Sequence, residues 1–252
     1  MSLICSNKFL CLIQALSINQ KICLRAMSFQ MVKDKFLSMN LEEKRKNYRC
    51  EKFVTLDQVP SWAESKSTSS IGSEYHSDPN LNSKISTFNG DITQLEIDAI
   101  VNAANERLAG GGGVDGFIHR AAGHDDLQAE CRTLNGCQTG SCKITGGYRL
   151  PAKYIIHCVG PIGEKPELLA SCYRQALDTL IKENLRTIAF PCISTGVFGY
   201  PNENAAKVAL ATTRDWLQRD SNHKKIERII FCLFLEKDIK IYEDLLNRYF
   251  PH

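Results

Sequence analysis

Short apolar runs, separated by longer amphipathic stretches, occur throughout the last two thirds of the chain. Five runs rich in β-branched and aromatic residues predict strands at 85–88, 99–103, 154–159, 187–191 and 228–235. Runs with so few polar positions are typical of strands that are buried on both faces of a sheet. We therefore expect a largely parallel sheet with a covered face on each side.

Helical periodicity lies between these runs. Apolar residues recur with a spacing of four positions over 168–181, 205–217 and 239–249, which predicts three amphipathic helices. Alternating strands and helices predict an α/β domain. Such domains bind their ligands beyond the carboxyl ends of the strands, so the residues that follow each strand are the candidate site.

Three polar, glycine-containing segments follow predicted strands, namely 89–92, 110–116 and 194–200. A run of four glycines lets the backbone approach a ligand with φ of either sign. The stretch 114–122 is expected to open a helix whose free N–H groups attract an anion. Two such loops facing each other predict a clamp for a diphosphate; the alternative is that the glycines only mark tight turns.

Four residues near the first glycine loop carry candidate chemistry: Asn102, Asn105, Asp115 and His119. Asp115 and His119 are four positions apart, which places them on one helix face. An amide can fix a ribose hydroxyl or a water, and a carboxylate can orient or deprotonate that water. His119 has a second interpretation, as a structural histidine on an apolar face.

Two further residues, Asp91 and Phe198, each have two possible roles. Asp91 is suited to accept a hydrogen bond from an exocyclic amine such as that of adenine, but aspartate is also favoured as the cap of a helical turn. Phe198 is suited to stack on a ribose or to close a cleft, and equally to ordinary packing. The sequence leaves both pairs open.

The composition of the chain bears on three questions: nucleic-acid binding, membrane insertion and the role of the cysteines. The 31 Lys and Arg against 28 Asp and Glu leave a net charge of +3, which gives no support to nucleic-acid binding through bulk charge. No apolar run is long enough to span a membrane. The 11 cysteines include no C-x-x-C pair, and those at 158, 172, 192 and 232 lie in apolar runs, where we expect small buried hydrophobes.

The first third of the chain is organised differently. Residues 1–33 contain basic and apolar but no acidic residues, which predicts a mitochondrial transit peptide; the alternative is an untargeted leader with initiation at Met27 or Met31. Residues 34–83 are expected to form a helical extension and linker, with a capping box at 40–43 and a loop over 61–83. The main domain is expected to span 84–252.

Five motifs, taken together, resemble a macrodomain: 89–93, 98–105, 110–116, 118–123 and 193–200. The segment 145–154 and the extension resemble the MacroD-type ADP-ribosyl hydrolases within that family. The ending Tyr249-Phe250-Pro251 resembles the mitochondrial paralogue of this subclass. The resemblance implies a three-layer α/β/α fold with a mixed, mostly six-stranded sheet.

The resemblance also implies a cleft for ADP-ribose. Asp91 would bind the adenine amine, with Ile92 nearby. The diphosphate would lie between the two glycine loops, formed by Gly111, Gly112, Gly113 and Val114 and by Ser194, Thr195, Gly196, Val197 and Phe198.

The implied reaction is hydrolysis of the ester that joins mono-ADP-ribose to Asp or Glu side chains of proteins, and of the similar ester in O-acetyl-ADP-ribose. Asn102, Asn105, Asp115 and His119 would be its catalytic residues, and a substrate phosphate, Asp115 or both would activate the water. No metal or organic cofactor is implied. Modified proteins are the expected partners, ADP-ribosylated nucleic-acid ends are further candidates, and the chain is expected to act as a monomer.

Three alternatives remain at this stage. If the candidate catalytic residues do not catalyse hydrolysis, the domain would be a reader, a module that binds ADP-ribose without cleaving it. The extension would be a recruiting scaffold if 34–83 bound partners. A nuclear or cytoplasmic location replaces the mitochondrial one if the leader is not a transit peptide.

Overall fold

The computed structural model describes residues 29–65, 73 and 75–252. The transit-peptide prediction falls on residues 1–33, of which 1–28 lie outside the described residues, and it stays a prediction. In the described range, no helix is long and apolar enough to cross a membrane.

The extension is made of short elements. Residues 29–38 are helical (α1), and α2 follows at Leu41–Arg45. The predicted capping box is present, because Glu43 N donates to Asn40 Oδ1 at 3.0 Å and Asn40 N donates to Glu43 Oε2 at 3.3 Å. The remaining elements of the extension are β1 (Val54–Thr55), two 3-10 turns (Leu56–Gln58 and Trp62–Glu64) and α3 (Pro79–Asn82).

The main sheet has six strands: β2 (Ile85–Asn89), β4 (Ala99–Ala103), β5 (Cys142–Gly146), β6 (Tyr154–Cys158), β7 (Thr187–Phe190) and β8 (Arg228–Leu233). Their order across the sheet is β2-β8-β7-β4-β6-β5. Neighbours are parallel except β5 and β6, which are antiparallel, so the sheet is mixed as the resemblance implied. Strand β3 (Leu95–Glu96) pairs with β1 in a separate ribbon.

Helices cover both faces. They are α4 (Gly113–Ala122), α5 (His124–Thr133), α6 (Pro166–Lys182), α7 (Asn202–Gln218) and α8 (Glu236–Tyr249), with a 3-10 turn at Arg219–Lys224. Alternate strand residues enter separate cores: Val101 packs with α6, α7 and α8, whereas Ile100 packs with α4 and α5. This alternation produces the three layers.

Among the six strands of the main sheet and the five helices that cover it, two elements were not predicted from the sequence. Edge strand β5 has half-exposed positions and ends in glycine, so it lacks the continuous apolar run that marks the central strands. Helix α5 is polar over most of its length, and its buried side includes the polar residues Gln128 and Glu130. Neither pattern carries the periodic apolar signal on which the prediction rested.

Cys158 is buried as expected, but it is not a free thiol. Cys142 and Cys158 stand opposite each other on β5 and β6, with Cα atoms 4.3 Å apart, and form a disulfide. The physical reason is register: directly opposed residues of an antiparallel pair have side chains close enough to be bridged. Cys172, Cys192 and Cys232 are free thiols; Cys172 and Cys232 are buried as expected, whereas Cys192 is partly exposed and lines the cleft.

The expectation of a loop over 61–83 is wrong at two places, the 3-10 turn Trp62–Glu64 near its start and helix α3 (Pro79–Asn82) at its end. Trp62 lies in the larger core, 8% exposed, and its Nε1 donates to the carbonyl of Phe250 at 2.7 Å. Upstream, Arg45 donates from Nε to Glu96 Oε2 at 2.8 Å and from Nη2 to Glu96 Oε1 at 2.7 Å. The extension is therefore packed against the sheet domain at several points.

Candidate active site

A cleft of about 450 Å³ opens beyond the carboxyl ends of β2, β4, β7 and β8. This is the edge at which the three segments were expected to converge, and they do. The residues that line it are Gly90, Asp91, Ile92, Ala103, Ala104, Gly112, Gly113, Val114, Phe117, Gly160, 191–198, Cys232, Phe234, Leu235 and Asp238.

Asp91 lies on the cleft wall directly after β2, and Ile92 lies beside it. Asp91 does cap the turn that follows it, as one interpretation expected, because its Oδ1 accepts from Thr93 N at 2.9 Å. The same oxygen accepts from Thr93 Oγ1 at 2.8 Å. These bonds fix the carboxylate at the start of the 3-10 turn Ile92–Gln94. A capped, fixed carboxylate on the wall is consistent with both interpretations.

The first glycine loop leads directly into α4, as expected. Gly112 caps the helix, and Gly113 adopts φ +60°, a conformation that strains any residue with a side chain. A Cβ placed on either glycine would meet nothing within 4 Å, so the space beside both belongs to the cleft. The first turn of α4 thus offers unpaired backbone N–H groups next to open space.

Gly111 is placed differently from its neighbours. It does not line the cleft, and its N–H donates to Asp115 Oδ2 at 2.7 Å. A Cβ on Gly116 would lie 2.3 Å from the Gly111 carbonyl, so α4 and the loop approach each other closely. Gly111 therefore connects the loop to the helix, while the two glycines after it face the cleft.

The second loop forms the opposite wall. Ser194 has φ +67°, and its Oγ is buried with no hydrogen-bond partner in the described part of the chain. A Cβ on Gly160 would come within 2.1 Å of that Oγ, so Gly160 gives the serine its space. Val197 lines the cleft and is 98% exposed, and Phe198 lines it and is half-buried.

The candidate catalytic side chains converge beneath the cleft rather than on its wall. Asp115 Oδ1 accepts from Asn102 Nδ2 at 2.7 Å and lies 3.1 Å from His119 Nδ1, while Oδ2 receives the Gly111 N–H. Asp115 is only 5% exposed and His119 only 1%. The same Asn102 nitrogen lies 3.0 Å from His157 Nδ1.

Asn105 shapes the turn before the glycines. Its Oδ1 accepts from Arg107 N at 3.1 Å and from Ala109 N at 3.2 Å. Its Nδ2 donates to the Ala109 carbonyl and reaches Asp115 Oδ2 at 3.4 Å. The amide closes the turn and joins it to the carboxylate.

The electrostatics of Asp115 follow from these contacts. Burial acts to raise the pKa of Asp115, but hydrogen bonds from His119, Asn102 and Gly111 outweigh it and lower the pKa below its usual value. The group is therefore ionised at neutral pH. Both of its oxygens already accept hydrogen bonds, so the carboxylate is better suited to hold its neighbours than to take a proton.

A protein-family model described as Macro domain matches residues 101–209, which hold the glycine loop and most of the cleft. The chain is 53% identical over 219 residues to "ADP-ribose glycohydrolase MACROD1" of Rattus norvegicus, covering 83% of this chain and 84% of that protein. This chain belongs to the macrodomain family.

Two further matches agree with that assignment. "ADP-ribose glycohydrolase MACROD2" of Mus musculus is 52% identical over 231 residues, covering 87% of this macrodomain chain but 48% of that relative. The solved structure of a Trypanosoma brucei macrodomain in complex with ADP-ribose has a TM-score of 0.72 at 40% identity, and 85% of this chain and 86% of that chain are covered. The MacroD-type resemblance is confirmed.

Sequence reasoning missed several residues of this macrodomain site. Phe234 and Leu235 line the cleft immediately after β8, and the rule that ligands meet the ends of strands would have found them. Phe117 faces the cleft from α4 and is 58% exposed. His157 was hidden inside an apolar strand run, where its single polar side chain was the available signal.

Proposed function

We propose that this macrodomain hydrolyses the ester between mono-ADP-ribose and Asp or Glu side chains of proteins, and the related ester of O-acetyl-ADP-ribose. The observation that carries the proposal is the buried Asp115 network directly beneath a cleft with a glycine loop on each wall. Relatives named as ADP-ribose glycohydrolases favour the hydrolase over the non-catalytic reader.

The cleft supplies a separate part for each portion of ADP-ribose. Asp91, which lines the cleft beside Ile92, would accept a hydrogen bond from the adenine amine. The first turn of α4 would bind the diphosphate through backbone N–H groups, favoured by the helix dipole. The loop 194–198 would close over it from the opposite wall.

The Asp115 network would act on the distal ribose by holding the loop that faces it. Hydrolysis consumes one water and yields free ADP-ribose and a free carboxylic acid. Of the two candidates for activating that water, the geometry favours a phosphate oxygen of the substrate, because both Asp115 oxygens are occupied. Asp115, Asn102, Asn105 and His119 would fix the geometry of attack, which is worth more than a strong base at an ester.

The remaining parts of the proposal concern the molecule in its surroundings. A monomer is proposed as the active unit. The acid-free segment 1–33 supports a mitochondrial location, with nucleus and cytoplasm as the alternatives. Modified proteins are the proposed substrates, and ADP-ribosylated nucleic-acid ends are a further candidate class.

The test compares two linkages on one protein. The full chain is incubated with a protein mono-ADP-ribosylated on glutamate and with the same protein modified on arginine, and free ADP-ribose is measured. The proposal predicts release from the glutamate ester and little from the arginine N-glycoside. Tight binding of the modified protein without release from either would identify a reader.

A further inference from the structure

A row of polar side chains crosses the apolar sheet face beneath α4 and α5. Asn102 on β4 lies opposite His157 on β6, and Thr145 follows on β5. All three are fully buried. Burying polar groups is costly unless they are hydrogen-bonded to one another, so this row calls for an explanation that packing does not give.

The hydrogens can be placed starting from Asp115. Because that carboxylate is ionised, the Asn102 atom 2.7 Å from its Oδ1 must be the donating nitrogen. The same nitrogen lies 3.0 Å from His157 Nδ1. Two donors cannot bond each other, so His157 Nδ1 carries no hydrogen and accepts from Asn102.

The other end of the row fits this placement. A neutral imidazole with a bare Nδ1 carries its hydrogen on Nε2, which lies 2.9 Å from the Thr145 hydroxyl oxygen. That oxygen accepts from Nε2, and the hydroxyl keeps its own hydrogen for the Gly146 carbonyl at 3.2 Å. Burial lowers the pKa of His157 to about 3, which keeps the ring neutral in this tautomer.

We propose that His157 is a positioning residue for the hydrolysis: its bare Nδ1 fixes the Asn102 amide so that the nitrogen faces Asp115. The proposal rests on the proposed function. His157 is absent from the cleft wall and acts through the chain of contacts from Asn102 to Asp115 to the Gly111 N–H. If the Asn102 amide were free to turn over, its oxygen would repel the carboxylate and release the glycine loop.

Two near-isosteric substitutions separate this role from simple core packing. In His157→Asn the side-chain oxygen occupies the place of Nδ1, so the acceptor for Asn102 is kept. In His157→Gln the amide occupies the place of Nε2, so the contact with Thr145 is kept and the acceptor is lost. Each full-chain variant is compared with wild type for kcat and KM on the glutamate-modified protein, for ADP-ribose affinity and for Tm.

His157→Gln is expected to lower kcat by about tenfold to 10²-fold, the loss associated with misplacing reacting groups by about an ångström. KM and ADP-ribose affinity are expected to change less than kcat. His157→Asn is expected to retain most of the wild-type kcat at a Tm similar to that of the Gln variant. Equal kcat in both variants, whether high or low, would overturn the proposal.

A measurement on the wild-type chain makes the test independent of variant folding. Long-range ¹H–¹⁵N NMR of labelled protein reports which ring nitrogen of His157 carries hydrogen. The proposal requires hydrogen on Nε2 and none on Nδ1; the reverse would overturn it. Failure of the wild type to release ADP-ribose would instead refute the proposed function, so the two failures are distinguishable.

Discussion

Asp115 is a charged residue at a helix N-terminus that lies beneath the cleft and does not line it. Its carboxylate lies in the first turn of α4, where the helix dipole favours a negative charge. It accepts hydrogen bonds from Asn102 and from the Gly111 N–H, one on each oxygen. The residue therefore joins the glycine loop, the helix and the sheet at one buried point.

Asn105→Ala tests the turn that leads into this point. The substitution removes the acceptor for two backbone N–H groups and the contact with Asp115, so the loop is expected to lose its fixed path. We expect kcat for ADP-ribose release to fall by more than about tenfold. Asn247→Ala, whose amide bonds the Glu243 carbonyl on α8, is the matched control. An unchanged rate of ADP-ribose release by Asn105→Ala would show that this turn is not needed for the reaction.

Asp98 gives a prediction about acid stability. Burial acts to raise the pKa of Asp98, but hydrogen bonds from Lys153, Arg186 and Thr187 lower it below the ordinary value of 3.8. A carboxyl with a lowered folded-state pKa stabilises the fold above its unfolded-state pKa. That contribution is lost as the pH falls through the folded-state pKa.

Denaturant unfolding of wild type and Asp98→Asn at a series of pH values measures this contribution. The wild type should be more stable at neutral pH, and the difference should shrink as the pH drops below 3.8. A difference that stays constant down to strong acid would show that the charge of Asp98 contributes nothing.

At the scale of elements, the sequence predicts those strands and helices that are marked by an apolar run or by periodic apolar residues. Strands β2, β4, β6, β7 and β8 and the helices α6, α7 and α8 follow the predicted runs closely. Edge strand β5 and helix α5 were missed because one is half-exposed and the other is mostly polar. The spacing of four positions in the sequence placed Asp115 and His119 on one helix face. Whether that face is buried depends on tertiary packing, which the spacing does not reveal.

The extension illustrates the same limit. Its Ser- and Asn-rich stretch reads as a linker, yet Trp62 lies in the core with its indole bonded to Phe250. A single buried aromatic in polar surroundings gives no periodic signal. Its partner is far away in sequence, so local pattern could not place it.

Trp62→Ala therefore tests whether the extension is part of the folded unit. Removing a buried tryptophan typically costs about 3–5 kcal/mol, so the free energy of unfolding should fall by that order. Lys52→Ala, an exposed position of the same extension, should leave it nearly unchanged. Equal stability of the two variants, measured by denaturant unfolding, would show that the extension does not stabilise the domain.

At the scale of the whole molecule, the cleft opens at one edge of the sheet and Asp98 lies at the other, just before β4. Binding in the cleft should stabilise the folded chain because the unfolded chain has no such site. At a hundredfold excess over Kd, ADP-ribose should add about 2.7 kcal/mol to the free energy of unfolding.

Adenosine monophosphate is the control ligand for that measurement. It keeps the adenine but lacks the diphosphate and the distal ribose, so at equal concentration it should raise Tm much less. An equal rise in Tm with both ligands would show that the two glycine loops do not hold a diphosphate.

The most direct test of the central claim is the rate of ADP-ribose release from a glutamate-modified protein by full-chain Asp115→Ala, at saturating substrate. The account predicts a fall of more than about tenfold, approaching the roughly 10²-fold loss that follows when reacting groups are misplaced by about an ångström. Glu227→Ala, an exposed carboxylate just before β8 at the opposite edge of the sheet, should match wild type. A rate for Asp115→Ala equal to that of wild type would contradict the assignment.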